Sequence, residues 1–164
     1  MKKSILKFAT VCSLFFAVSL SAQAQLYERG EKVVDAGLFF PSGATVVKAG
    51  LTFGVANDVG AGLEANYSSS SDSYYYSSSS SFGLYGKVNY DFAPALDFGT
   101  DKVFTYIGGG IGKEFETGTS VYGAGQIGAG YMVNDRVGFN LEVRFGIVNA
   151  RGAQFGIGVV FKLR

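Results

Sequence analysis

From Val137 onward the chain alternates. Val137, Phe139, Leu141, Val143, Phe145 and Ile147 are separated by Gly138, Asn140, Glu142, Arg144 and Gly146. Successive side chains of a strand point to opposite faces, so this segment has one apolar face and one that is polar or bare. Helical spacing would put Phe139 and Glu142 on one side and is rejected. Phe155, Ile157, Val159, Phe161 and Leu163 repeat the pattern against Gln154, Gly156, Gly158, Val160 and Lys162. Earlier segments read the same way: Val34 to Phe40 about Asp35 and Gly37, Val47 to Val55 about Lys48, and Val59 to Tyr67 about Glu64. Phe82, Leu84, Val88, Tyr90 and Phe92 oppose Gly83, Tyr85, Lys87 and Asn89, and Gln126 sets the phase between Val121 and Val133. Residues 103–112 are a strand by composition with an ambiguous phase, because Phe104 and Tyr106 compete with Ile107 and Ile111. The pattern predicts eight strands.

The connections differ at the two ends. Asn57-Asp58 and Asn134-Asp135 are tight turns made of residues that tolerate left-handed backbone, while residues 93–101 form a longer link with Pro94. At the other end lie residues 41–45, 68–81, 113–120 and 148–152. Residues 68–81 hold ten Ser, one Asp and the adjacent Tyr74, Tyr75 and Tyr76, too polar for a core strand and expected as a loop. The alternative is a hairpin extended past the membrane, with its Tyr near the lipid interface. Short turns at one end and longer loops at the other suit a membrane barrel.

The first 24 residues stand apart. Lys2, Lys3 and Lys7 precede a short apolar stretch, and Ala22-Gln23-Ala24 gives a small-x-small cleavage pattern. Residues 1–24 are expected to be a cleaved signal peptide, leaving residues 25–164 as the barrel domain. The apolar run is too short for a membrane helix. The lone Cys12 leaves with the signal, so the mature chain has no thiol chemistry and no disulfide. Eleven bases then face 13 acids, a formal charge of −2, and no basic cluster marks a nucleic-acid surface.

Composition sharpens the choice of barrel. A soluble eight-stranded barrel needs charge on its outside, yet the apolar face carries almost none. The consistent assignment puts that face toward lipid and the small, polar face inside. In lipid every backbone group must pair within the protein, so the sheet has to close. The expected fold is all-β: a transmembrane antiparallel up-and-down β-barrel of eight strands. Its interior is just wide enough for side chains, which accounts for many of the 24 Gly. Asp35, Glu64 and Glu142 against Lys48, Lys87 and Arg144 form an expected interior charge network, since an unpaired buried charge is costly.

With its signal, eight amphipathic strands and closing strand, the sequence resembles the small OmpA/OmpX-like outer-membrane β-barrel proteins of Gram-negative bacteria. The resemblance covers about the whole mature chain. Gly158, Phe161 and Leu163 are similar to that family's C-terminal assembly signal, which implies the barrel-assembly machinery as a partner during insertion. It also implies residence in the outer membrane, among outer-membrane lipid, with both termini periplasmic.

Candidate chemistry is sparse. The chain has no His, which removes the commonest general base and any Ser–His–Asp arrangement. Gly123 to Gly128 matches G-x-G-x-x-G, but a strand continues where a dinucleotide site needs a helix. Gly108 to Lys113 lacks phosphate-loop spacing. Glu114 and Glu116 are a loop pair with a weak claim on Ca²⁺. No catalytic, cofactor or metal site is expected. Tyr74, Tyr75 and Tyr76 within the Ser-rich segment have the composition of a binding loop, so an unknown surface partner is expected to meet residues 68–81. The expected function is a non-enzymatic structural or surface-interaction role. The alternatives are a narrow gated pore and a soluble ligand-binding barrel.

Overall fold

The computed structural model describes residues 25–41, 44–72, 77–96, 102–115, 121–148 and 152–163. The strands are β1 (Lys32–Phe40), β2 (Thr45–Ala56), β3 (Val59–Asp72), β4 (Ser77–Asp91), β5 (Val103–Glu114), β6 (Val121–Met132), β7 (Val137–Val148) and β8 (Gln154–Leu163). One helical turn, α1 (Ala93–Leu96), lies between β4 and β5. Each strand pairs antiparallel with its sequence neighbours, and β1 closes the ring on β8 from Lys32↔Leu163 to Phe40↔Phe155. This is the closed up-and-down barrel that the alternation predicts.

The apolar face points outward. Leu63, Ile111 and Ile147 keep 68%, 69% and 67% of their surface exposed, while Lys48, Glu64 and Gln126 are buried. An aliphatic exterior around a charged interior is the arrangement of a transmembrane barrel and the reverse of a water-soluble one.

The register settles the phase of β5. Ile107 pairs with Tyr90 and Ile127, both on the outer face, so Phe104 and Tyr106 turn inward and are buried. Sequence alternation was ambiguous here because this stretch has large apolar residues on both faces. Val103 and Thr105 lie on the outer phase yet are buried, where the β4–β5 link folds back and Phe92 N donates to Thr105 O.

Two turns form at the end that carries the chain termini. Asp58 adopts a left-handed φ of 67°. Asn134 Oδ1 accepts from the backbone N–H groups of Arg136 and Val137, both at 2.9 Å.

The opposite end corrects one expectation. Much of residues 68–81 is strand, with Ser68↔Ser81 through Asp72↔Ser77 in register between β3 and β4. Polarity does not forbid a ladder that stands clear of an apolar layer, because serine supplies cross-strand hydrogen bonds. The Ser68 and Ser81 hydroxyls lie 2.6 Å apart. Tyr74, Tyr75 and Tyr76, Glu116 and the expected signal peptide lie outside the described residues.

Candidate functional site

Steric necessity organises the lumen. A long side chain crossing a narrow barrel needs space on the wall beside it, and glycine gives most. Asp35 pairs with Gly50, Lys48 with Gly37, Glu64 with Gly50, Lys87 with Gly62 and Gly110, and Glu142 with Gly128 and Gly156. A Cβ on Gly50 would land 2.6 Å from Asp35 Oδ2 and 3.1 Å from Lys87 Nζ. Arg144 differs: its neighbours are Gln126 and Gln154.

The six charged residues expected from the sequence meet in one set of ion pairs. Arg144 Nη1 and Nη2 donate to Glu64 Oε1 and Oε2 at 2.8 and 3.0 Å, and Nη2 also reaches Glu142 Oε1 at 2.9 Å. Lys48 Nζ lies 2.8 Å from Glu142 Oε2 and 3.5 Å from Asp35 Oδ1. Lys87 Nζ lies 2.9 Å from Asp35 Oδ2 and 3.2 Å from Glu64 Oε2. Three carboxylates and three cations leave no formal excess charge, and each desolvated group has an opposite charge within 3.2 Å. The Arg144 guanidinium also lies over the rings of Phe39 and Tyr85, each centroid 4.6 Å away.

Neutral polar groups extend this network toward the terminal end. Arg144 Nη2 donates to Gln126 Oε1, Gln126 Nε2 to Asn89 Oδ1, and Asn89 Nδ2 to the Tyr27 hydroxyl. Tyr106 OH donates to Glu142 Oε2 at 2.6 Å and accepts from Asn140 Nδ2.

The terminal end is stoppered by the chain itself. Leu26 and Tyr27 are buried in a cluster with Val33, Phe104, Tyr106, Met132 and Val160. Leu26 N donates to Asp91 Oδ2 at 2.7 Å, and Gln25 Nε2 to Asp58 Oδ1 at 3.0 Å. Lys162 Nζ donates to Gln25 O. Asp91 also accepts from Ala93 N and Thr105 N, so one fully buried carboxylate ties the N-terminal segment, α1 and β5 together.

At the other end the described residues line a cavity of about 190 Å³ that descends from Pro41 and Glu114, past Asn66 and Tyr122, to Phe39 and Arg144. The Tyr122 ring stacks on that of Tyr85, centroids 5.8 Å apart.

Other residues singled out in the sequence fall elsewhere. Gly158 sits in β8 between Gly37 and Asn140, whereas Phe161 and Leu163 face outward and are exposed. The G-x-G-x-x-G match lies wholly within β6, with no following helix. Among the described residues, no three His, Cys, Asp or Glu side chains are grouped to hold a metal. Alternation alone did not single out the N-terminal stopper or Phe39. The signals were there in Leu26-Tyr27 directly after the cleavage pattern, and in Phe39 lying in phase with Asp35 and Gly37.

Neither a protein-family model nor a curated protein matches the sequence. Solved structures do match the fold. The N-terminal β-barrel domain of Pseudomonas aeruginosa OprF superposes with a TM-score of 0.60 at 13% identity, covering 82% of this chain and 98% of that one. The outer membrane protein OprG from Pseudomonas aeruginosa gives 0.56 at 14% identity, covering 87% of this chain and 100% of that one. The Yersinia pestis outer membrane protein Ail gives 0.55 at 10% identity, covering 82% and 100%. The chain thus shares its architecture with the eight-stranded barrels of bacterial outer membranes.

Proposed function

We propose that this chain is an exported outer-membrane barrel without enzymatic activity. In this reading residues 1–24 are removed, the turns and both termini face the periplasm, and the loop end faces outward. Gly158, Phe161 and Leu163 serve recognition by the assembly machinery. The barrel anchors a surface-exposed contact element, the β3–β4 hairpin.

One observation carries this reading. β3 pairs with β2 only as far as Ser69↔Thr45, and β4 pairs with β5 only from Gly83↔Glu114. Among the described residues, Ser70 to Asp72 and Ser77 to Ser81 therefore pair only with each other and with Ser68 and Ser69, as a ribbon projecting past the neighbouring strands. Strand edges without a partner among the described residues offer backbone groups, and the Tyr-containing sequence that joins the two strands is of the kind used by binding loops. The test replaces residues 70–79 with a two-residue Asn-Gly turn. The shortened barrel should keep the mobility difference between unboiled and boiled samples. Cells displaying it should lose adhesion to one another and to protein-coated surfaces. Equal adhesion by both forms overturns the contact role.

A gated pore is the second reading, and one observation favours it: the ion pairs share partners. Lys48 is within 4 Å of Asp35, Glu64 and Glu142, so it can exchange one for another without becoming unpaired. Current steps in planar bilayers that change on neutralising Glu142 would support that reading. The stopper at the terminal end opposes it, and the exposed aliphatic exterior opposes a soluble ligand-binding barrel.

A further inference from the structure

We infer that the loop-end cavity is a binding site for one neutral, polyhydroxylated ring the size of a hexose. The inference concerns the cavity alone and does not require the hairpin to be a contact element.

Among the described residues, two buried polar atoms on the cavity lining have no hydrogen-bond partner, Asn66 Oδ1 and Arg144 Nε. Arg144 itself is only 6% exposed. One atom needs a donor and the other an acceptor, and leaving such groups unsatisfied is costly. An anion would serve Nε alone, and a cation Oδ1 alone. A hydroxyl group serves either, and still serves Asn66 if its amide is turned by 180°.

Charge points the same way. The Arg144 cation is already matched by Glu64 and Glu142, and Glu114 adds an acid at the cavity wall, so the site offers no net positive field to an anion. The remaining lining mixes hydroxyls with aromatic rings. Among the described residues Ser68 and Ser81 share a single hydrogen bond, which leaves further hydroxyl valences, while Tyr122 adds an aromatic ring to the lining. A sugar ring has apolar C–H faces for such rings and a hydroxyl rim for such polar groups.

Size limits the ligand. At about 190 Å³ the cavity is smaller than the ~300–1,000 Å³ of sites for drug-sized molecules. It suits one ring and not a buried disaccharide. The ring could be a free monosaccharide or the terminal unit of a surface glycan whose remaining units stay outside.

The test uses the whole mature chain, folded in a zwitterionic detergent, because sugar-headed detergents would compete. Glucose, galactose, mannose and their methyl glycosides are titrated by calorimetry, with inorganic phosphate and acetate as anion controls. A ligand of this size at ordinary efficiency gives a Kd of roughly 1 mM. At least one hexose should bind at that level, and Asn66→Leu should weaken it about tenfold or more while preserving the gel shift on boiling. Ser81→Val is a second, milder variant that should weaken the same sugar. Binding of the methyl glycoside as well as the free sugar identifies a glycan terminus, and binding of the free sugar alone identifies a solute. The inference is overturned if no hexose binds up to about 10 mM, if phosphate binds in its place, or if both folded variants bind as the parent does. Loss of the gel shift in the unmodified chain would instead overturn the barrel reading.

Discussion

Replacing Arg144 by Met tests whether the lumen is held as a balanced set of charges. The substitution removes both bonds to Glu64, at 2.8 and 3.0 Å, and those to Glu142 and Gln126. Glu64, whose side chain has no exposure, keeps Lys87 at 3.2 Å and Lys48 at 3.9 Å, and the lumen acquires one uncompensated negative charge. Breaking a buried pair from one side costs about 3–5 kcal/mol. The Met side chain between Phe39 and Tyr85 returns about 1 kcal/mol through sulfur–aromatic contact. The expected net loss is therefore about 3 kcal/mol. Glu64→Gln should cost about the same, because it strands the opposite charge. Combining the two restores neutrality, so the double variant should also lose about 3 kcal/mol in place of the additive ~6, a coupling of about 3 kcal/mol. The chain lacks Trp, so unfolding in urea is followed by circular dichroism and by the mobility of unboiled samples on gels. Additivity within about 0.5 kcal/mol, or an Arg144→Met cost below about 1 kcal/mol, refutes the balanced-charge account.

Other predictions follow from the same geometry. Leu63→Arg, on the outer face midway along β3, should cost about 2–4 kcal/mol in lipid, and Val55→Lys near the Asn57-Asp58 turn about 0–1, both read by urea titration; equal costs would refute the assigned membrane band. A Cβ on Gly128 would run into the Tyr106 ring, whereas one on Gly86 meets nothing closer than 3.8 Å. Gly128→Val should therefore cut refolding yield severely and Gly86→Val should not. Joint replacement of Leu26 and Tyr27 by Ala removes the stopper and should lower stability by several kcal/mol, about 2–5 for each large side chain deleted from a packed site. In planar bilayers that variant should stay silent, because the ion pairs still cross the lumen. Conduction by the stopper variant alone would show that the charge network is no barrier.

Sequence alternation revealed strand number, order and facing wherever one face is bare. β7 is the clearest case: Val137 to Ile147 outside and Gly138 to Gly146 inside leave no second assignment. It failed at β5, where Phe104 and Tyr106 face inward to fill the terminal end of the lumen. There the rule that apolar means outside no longer holds, because the stopper builds a small apolar core within the barrel. The six lumen charges were legible because each interrupts an apolar strand in phase with glycines. Their pairing was not, since Lys48 and Glu142 are 94 residues apart and meet only when the ring closes. The Ser-rich segment did not read as a strand because its composition resembles a loop, while its structure follows from backbone pairing to which serine hydroxyls add cross-strand hydrogen bonds such as that of Ser68 with Ser81.

The lumen glycines differ in what an added Cβ would meet. Below Arg144 an added Cβ would meet a side chain of the adjacent strand or of the N-terminal segment at several positions: Tyr27 and Thr52 at Gly60, Asp35 at Gly50, Met132 at Gly138. At these three positions the space left by glycine is taken by a neighbouring side chain. Two glycines beside the cavity have no such neighbour among the described residues. At Gly83 the nearest atom to an added Cβ is 3.4 Å away, and at Gly152 nothing lies within 4 Å. Both line the cavity, together with Gly146 and Ala124. In a barrel this narrow, short side chains without long partners leave a void, and a void lined by polar groups must take up water or a solute. Arg144 marks the boundary. Of the six residues in the ion-pair network it alone has Gln126 and Gln154 as strand neighbours in place of glycine, so its side chain is held by amides and by two aromatic rings at the floor of the cavity. The same residue thus completes the ion pairs below and presents an unsatisfied Nε to whatever enters from above.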